Sequence, residues 1–268
     1  MTLSNSKGTA VVTGASSGIG AIYADRLAKR GYDLVLVARN GERLSALAQR
    51  LIAETGRSVQ TIAADLTDPA ALAKIESLLR TDASISMLVN NAGFGSAASV
   101  LQGDVENMHA MIQLNITALT RLTYAVAPAF VARGAGTIIN ISSIVAIAVE
   151  LLNGVYSASK SYLLSFGHAL QRDLAGKGVR VQTVLPGATA TEFWDVVGYL
   201  PMKTDAITMS AEDLVDAALA GLDHGEQVTI PGLQNDADWQ QWEAGRNELG
   251  PKFANAVPAA RYGLPGRV

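Results

Sequence analysis

Along the first half of the chain, short apolar runs rich in β-branched residues alternate with longer stretches whose apolar positions recur at helical spacing. This is the pattern of parallel strands joined by crossover helices. Ala10–Thr13 reads as a strand, Gly18–Lys29 as a helix, Asp33–Val37 as a second strand, Leu44–Thr55 as the next helix and Ser58–Ala63 as a third strand. Asp68 caps a further helix with Pro69 at its first position, where a fixed φ and a missing donor do no harm, and that helix ends near Arg80. Met87–Asn90 is a fourth strand. Met108, Met111, Ile112, Leu114, Ala118, Leu119 and Leu122 then recur at helical spacing and predict one long helix within Asp104–Arg133.

The same rhythm continues in the second half. Thr137–Ile141 is a fifth strand, Val155–Gly176 a helix, and Arg180–Leu185 a sixth strand whose unbroken apolar character predicts burial on both faces. From Pro186 to Met209 the pattern is irregular; Ser210 with Asp213 marks a helix start, and Gln227–Ile230 is a last strand. The tail Pro231–Val268 carries Trp239, Trp242, Phe253, Tyr262 and four prolines, which predicts an ordered cover rather than a helix-rich extension. The expected architecture is α/β: a doubly wound, mainly parallel sheet of about seven strands flanked by helices. A single domain is expected over residues 1–268, with 233–268 as its cover.

Composition narrows the function. Hydrophobic residues make up 49% and charged residues 17%, which is enough apolar material for a core and too little charge for a disordered chain. A formal charge of −3 without a basic run argues against nucleic-acid binding. Absence of cysteine removes disulfides, thiolate metal sites and cysteine nucleophiles, and fits a reducing cytoplasm. The polar start Met1–Gly8 lacks the basic and apolar regions of a signal peptide, and stretches such as Ile144–Leu152 fall short of the roughly 20 residues a bilayer needs. His109, His168 and His224 have no metal-ligand spacing, so no metal is expected.

Candidate chemistry clusters after the strands. Thr13-Gly14-Ala15-Ser16-Ser17-Gly18-Ile19-Gly20 follows a strand and opens a helix, the context of a dinucleotide-binding turn. Glycines there allow backbone to approach a pyrophosphate, the helix start offers unpaired N–H groups, and the Ser16 and Ser17 hydroxyls add donors. Tyr156 and Lys160 stand one helical turn apart, so both can serve one site, and an ammonium beside a phenol of pKa about 10 favours the phenolate. Asn90-Asn91-Ala92-Gly93 ends the fourth strand and Ser142-Ser143 the fifth. Ligands bind at the carboxyl ends of strands in open α/β sheets, so these signals converge on one edge.

In this combination the chain resembles the short-chain dehydrogenase/reductase family from about Gly8 to about Gly232, with a Rossmann-type fold implied. The likeness rests on Thr13–Gly20, Asn90–Gly93, Asn115, Ser143, Tyr156 with Lys160, and Pro186-Gly187. It implies that Tyr156 donates a proton to the developing alkoxide, Ser143 holds the carbonyl oxygen, Lys160 binds the nicotinamide ribose and tunes Tyr156, and Asn115 supports a proton-relay water. Ser143 rather than Ser142 fits the family's spacing to the tyrosine, Ser142 facing the core or cofactor side. The likeness also puts Asn91, Ala92, Gly93, Pro186 and Gly187 on the cofactor, Asp65 and Leu66 beside the adenine, and Thr189 or Thr191 at the carboxamide or phosphates. Asp65 fits a turn residue equally well. Ala146, where relatives often have glycine, leaves the shape of the 144–153 loop open.

After the second strand, Val37-Ala38-Arg39 lacks the acidic residue that would bind a ribose 2′-hydroxyl, and Arg39 matches a 2′-phosphate, with Arg43 assisting. NADP(H) is therefore the expected cofactor; Ser17 stands where many NADP-preferring relatives are basic, so NAD(H) stays open. Residues 188–209 hold the family's substrate-loop position, and Phe193, Trp194, Val197 and Tyr199 fit apolar substrate walls or core contacts. Glu150 reads as a surface carboxylate. The expected function is hydride transfer between NADP(H) and a small or medium hydrophobic carbonyl or alcohol, by a homodimer or homotetramer. The rival readings are an NAD-dependent dehydrogenase of a hydroxyl compound and a noncatalytic dinucleotide sensor or scaffold.

Overall fold

The computed structural model describes residues 6–152, 154–197 and 207–264. The apolar runs form β1 (Thr9–Thr13), β2 (Asp33–Ala38), β3 (Val59–Ala63), β4 (Ile85–Asn90), β5 (Gly136–Ile141) and β6 (Val179–Val184), followed by the short β7 (Thr189–Ala190), β8 (Met209–Ser210) and β9 (Val228–Thr229). Seven of them make one parallel sheet in the order β3-β2-β1-β4-β5-β6-β9. Connections leave β1 on one side and return to β4 on the other, which opens a crevice between their carboxyl ends.

Both faces of the sheet are covered because strand side chains alternate in direction. Val12, Leu36 and Val89 pack with α1 (Gly18–Lys29), α2 (Gly41–Thr55) and α8 (Ala211–His224). Val11, Val35 and Leu88 pack with α3 (Pro69–Thr81), α5 (Leu119–Arg133) and α6 (Gly154–Asp173). The expected alternation of strand and helix is therefore found, with element ends shifted by a few residues.

Three stretches differ from the sequence reading. The single long helix is α4 (Val105–Ile112), a wider π-type segment Gln113–Ala118, and α5, with Asn115 inside the wide segment. An uninterrupted apolar stripe does not reveal such a segment, because one extra residue per turn hardly disturbs the period. The stretch expected to be irregular contains β7, paired with β8, and α7 (Phe193–Val197). Residues 198–206 of the expected substrate loop, Tyr199 among them, and Asn153 at the end of the 144–153 loop lie outside the described residues.

Residues from Leu233 onward form a separate unit. It contains a four-turn helix where an ordered cover rather than a helix-rich extension was expected: Asn235 caps α9 (Asp236–Leu249) by accepting from Ala237 N at 3.2 Å, and Trp239 stacks on Trp242. The tail's prolines all fall outside that window, so nothing interrupts the helix.

Helix α1, whose first turn follows the glycine-rich segment, is tied to its neighbours by charge. Arg26 pairs with Asp216 of α8 and Arg30 with Asp223, while the buried Asp25 carboxylate accepts from Arg26, Lys29 and Arg50 of α2. Burial alone would raise the Asp25 carboxyl, but the hydrogen bonds from Lys29, Arg26 and Arg50 outweigh it and hold the pKa at about 2. A depressed carboxyl stabilises the fold above the ordinary carboxylate range, and this contribution is lost as pH falls through that range towards 2. Asp25→Asn is expected to cost about 2 kcal/mol at neutral pH, with the gap to the wild type narrowing below pH about 4; denaturant melts across pH test this, and a gap independent of pH contradicts it.

Candidate active site

At the switch between β1 and β4 the two strand ends are stitched together. Thr13 Oγ1 donates to Val89 O at 3.2 Å and accepts from Asn91 N at 3.0 Å and Ala92 N at 3.1 Å. The Asn91 amide donates to Thr13 O at 3.0 Å and Gly14 O at 3.1 Å. Gly14 has φ +66° and Gly18 φ +51°, a region that disfavours any side chain. Gly20 is required for a different reason: a Cβ there would lie 2.3 Å from Gly14 O and 2.5 Å from Asn91 Nδ2.

The start of α1 is chemically unusual in this chain. Asn40, Asp68, Asp104, Ser210 and Asn235 cap α2, α3, α4, α8 and α9 with side-chain oxygens, but Ser17 at the start of α1 makes no such bond and the first turn has no acidic residue. The N–H groups and positive dipole end of α1 are thus left for an anion, beside glycines whose bare backbone allows close approach. These residues fit a dinucleotide pyrophosphate.

A cavity of about 1050 Å³ runs from this turn along the strand ends. Ser16, Ser17, Gly18 and Ile19 line it, with Arg39 and Arg43 near one end. Arg39 is exposed at the end of β2, as expected. Arg43 forms an ion pair with Glu192 at 2.6 Å, a partner that the sequence did not suggest. Asp65 accepts from Thr67 N at 2.9 Å and Thr67 Oγ1 at 2.7 Å, and these bonds, outweighing its desolvation and helped by Arg39, hold its carboxyl low. It is therefore a turn residue that also lines the cavity, next to buried Leu66.

Ser143, Tyr156 and Lys160 meet farther along the same cavity, at the end of β5. The Ser143 hydroxyl hydrogen-bonds the Tyr156 side chain, whereas Ser142 donates to Lys160 O at 2.8 Å and is turned into the packing between β5 and α6. Lys160 Nζ donates to Ile141 O at 2.9 Å and lies 5.6 Å from the centroid of the Tyr156 ring. Burial pushes the Tyr156 phenol above its ordinary value despite the opposing Ser143 bond, and burial draws Lys160 down to about 8. The expected lowering of the phenol by the ammonium is thus not produced by the protein's own groups. Nζ faces the ring and a carbonyl rather than the hydroxyl, and the cost of desolvation wins.

Pro186, Gly187, Thr189 and Thr191 also line the cavity, as do Asn91, Ala92 and Gly93 at the end of β4. Two expected residues do not line it. Gly20 lies beneath the turn as a packing glycine, and Asn115 sits behind Phe94. The Asn115 amide accepts from Phe94 N at 3.1 Å and donates to Phe94 O at 3.0 Å and Ser159 Oγ at 3.1 Å, so it clamps the chain after β4 to α6. Asn107, Ala110 and Leu114 line the cavity from the α4 side, and Phe94, Leu151 and Leu152 add apolar wall; their sequence positions carry no signal beyond ordinary helix or loop residues. Among the described residues no helix is long and apolar enough to cross a membrane.

Comparisons with known proteins agree on one family. The profile described as short chain dehydrogenase matches residues 8–198. A short-chain dehydrogenase from Sphingobium yanoikuyae, solved in complex with NADPH, is 47% identical with TM-score 0.92, covering 95% of this chain and 100% of that one. A bulky-bulky ketone specific alcohol dehydrogenase from Comamonas testosteroni is 42% identical with TM-score 0.89, covering 97% of this chain and 100% of that one. The 17-beta-hydroxysteroid dehydrogenase type 3 of Homo sapiens is 36% identical over 225 residues, covering 83% of this chain and 69% of that protein.

Because Gly20 has the Gly14 backbone and the hydrogen-bonded Asn91 amide against it, Gly20→Ala is expected to force the turn apart and to cost on the order of 1–3 kcal/mol. Thermal denaturation reads this directly, and a melting temperature equal to that of the wild type would show that the turn yields without cost.

Proposed function

The chain belongs to the short-chain dehydrogenase family of oxidoreductases acting on alcohol and carbonyl groups, and on that premise we propose that it moves a hydride between NADP(H) and a carbonyl or alcohol compound with apolar substituents, Tyr156 exchanging the proton. The observation that carries this reading is the buried cluster in which Ser143 bonds the Tyr156 phenol while Lys160 lies against the same ring. A noncatalytic sensor would have no use for that cluster.

When bound, the dinucleotide supplies or accepts the hydride. Gly14, the segment Ser16–Ile19 and the uncapped start of α1 hold its pyrophosphate, and Lys160, next to Gly93, serves the nicotinamide ribose. Ser143 holds the substrate oxygen and thereby polarises the carbonyl. As negative charge grows on that oxygen, Tyr156 gives up its proton and an alcohol results; Lys160, when protonated, stabilises the phenolate left behind. A phenol pushed up by burial stays protonated across neutral pH, the state required for reduction. Asn115 acts through its clamp on Phe94 and Ser159 and is a positioning residue.

Preference for NADP(H) rests on Arg39 just after β2, where the chain has a guanidinium for a 2′-phosphate in place of an acidic residue for a 2′-hydroxyl. The NADPH-bound relative supports the same cofactor. Phe94, Val145, Leu151, Leu152 and Phe193 line the catalytic end as an apolar wall, which favours hydrophobic carbonyls. The name of the ketone-specific relative agrees with that class. A homodimer or homotetramer is part of the proposal: exposed Tyr124 on α5 stacks on Phe166 of α6 and offers an aromatic face to a second copy.

NADPH oxidation by a ketone panel is expected, and Tyr156→Phe is expected to lower kcat at least about 100-fold while still binding NADPH; wild-type turnover in the variant removes Tyr156 from the chemistry. Arg39→Asp is expected to weaken NADPH binding by about 10-fold or more and leave NADH binding intact, read by fluorescence titration. An unchanged ratio of the two affinities refutes the cofactor preference.

A further inference from the structure

Gly95 lies just past the Asn90–Gly93 segment and has a neighbour that explains its missing side chain. A Cβ at Gly95 would lie 2.6 Å from Cζ and 3.1 Å from Cε2 of Phe193, and 3.2 Å from Cδ2 of Tyr156. The Phe193 ring is therefore seated on bare backbone, and the same backbone touches the ring of Tyr156. The two rings stand 5.6 Å apart, tilted by 43°. Behind Phe193, the Trp194 ring meets it edge-on at 5.4 Å and 88°, and the buried Trp194 indole N–H donates to Thr189 O at 2.8 Å. Phe193 is thus held by a segment anchored independently of it, and it remains only partly buried, with one side turned to the cavity.

We infer that Phe193 is the residue that sets substrate size, that Gly95 lets its ring withdraw from the crevice, and that the substrates are carbonyl compounds whose larger apolar substituent packs on the cavity side of that ring. The Phe193 wall of the crevice is as far back as an aromatic ring can go, because it rests on a residue with no side chain. Any group added at Gly95 must displace the ring away from that backbone, and with Trp194 packed against it the yielding side is the cavity. An aromatic wall beside the reacting oxygen binds a large apolar group in preference to a small one. Trp194, spent on Thr189 and fully packed, leaves Phe193 as the adjustable member of the pair.

This assignment rests on the proposed carbonyl reduction and is tested with a matched pair of ketones, butanone and propiophenone, using the full chain and NADPH. In Gly95→Ala, kcat/KM for propiophenone is expected to fall by about 10-fold or more relative to butanone, mainly through KM, with NADPH affinity by fluorescence unchanged. Phe193→Leu in the Gly95→Ala background is expected to restore most of the loss, since the smaller side chain removes the collision. Phe193→Leu alone, which needs no strained backbone and so decides the matter even if Gly95→Ala melts early, is expected to move the ratio of the two ketones. Equal effects on both ketones in every variant, or losses that add in the double variant, overturn the assignment. Failure of the wild type to reduce any ketone, or full activity in Tyr156→Phe, instead removes the reading beneath it and this assignment with it.

Discussion

One hydrogen bond fixes the catalytic end of this molecule: Lys160 Nζ to the carbonyl of Ile141, the last residue of β5, at 2.9 Å. A buried ammonium must be satisfied by acceptors or it loses its proton, and burial already draws this one down to about 8. Anchoring it to a strand end sets the height of α6 on the sheet. That height in turn brings Tyr156, one turn earlier on the same helix, against Ser143 at the point where β5 stops. The Ser142 hydroxyl, donating to Lys160 O, reinforces the same register.

From that anchor the site divides into two halves of opposite character. Towards β1 the lining is backbone N–H, glycine and hydroxyl, with a helix start left uncapped and guanidinium groups at the rim, a surface suited to phosphate. Towards α4 and α7 it is Phe94, Leu114, Leu151, Leu152 and Phe193, a surface suited to hydrocarbon. Tyr156 stands where they meet, packed on the apolar side and hydrogen-bonded on the polar side. The order of the strands makes this division possible, because crossovers diverge only between β1 and β4 and leave room for an elongated ligand.

Much of this was legible in the sequence, for physical reasons that differ by element. Strands such as β5 and helices such as α3, with Asp68 and Pro69 at its start, show themselves through periodicity and capping, both local properties. The glycine turn and the Tyr156–Lys160 pair were legible because their chemistry needs particular residue types at fixed spacing. The π-type segment around Asn115 was hidden, since its cause is packing and not composition. The separate duties of Gly20 and Gly95 were hidden as well: each depends on a side chain from a distant part of the chain, Asn91 in one case and Phe193 in the other. The Arg43–Glu192 pair joins residues far apart in sequence and left no local trace. The tail misled because its aromatic residues and prolines were weighed together, although the prolines stand outside the helix that the aromatic Trp239 and Trp242 occupy.

The central claim is that one oxygen atom of the substrate is held by Ser143 and Tyr156 together. A crystal structure of the protein with NADPH and a tightly bound, unreactive alcohol tests it most directly. The account predicts the alcohol oxygen within about 3 Å of both the Ser143 and Tyr156 hydroxyls, with Lys160 on the ribose. An alcohol bound elsewhere in the cavity, or a dinucleotide that leaves the start of α1 untouched, would contradict it.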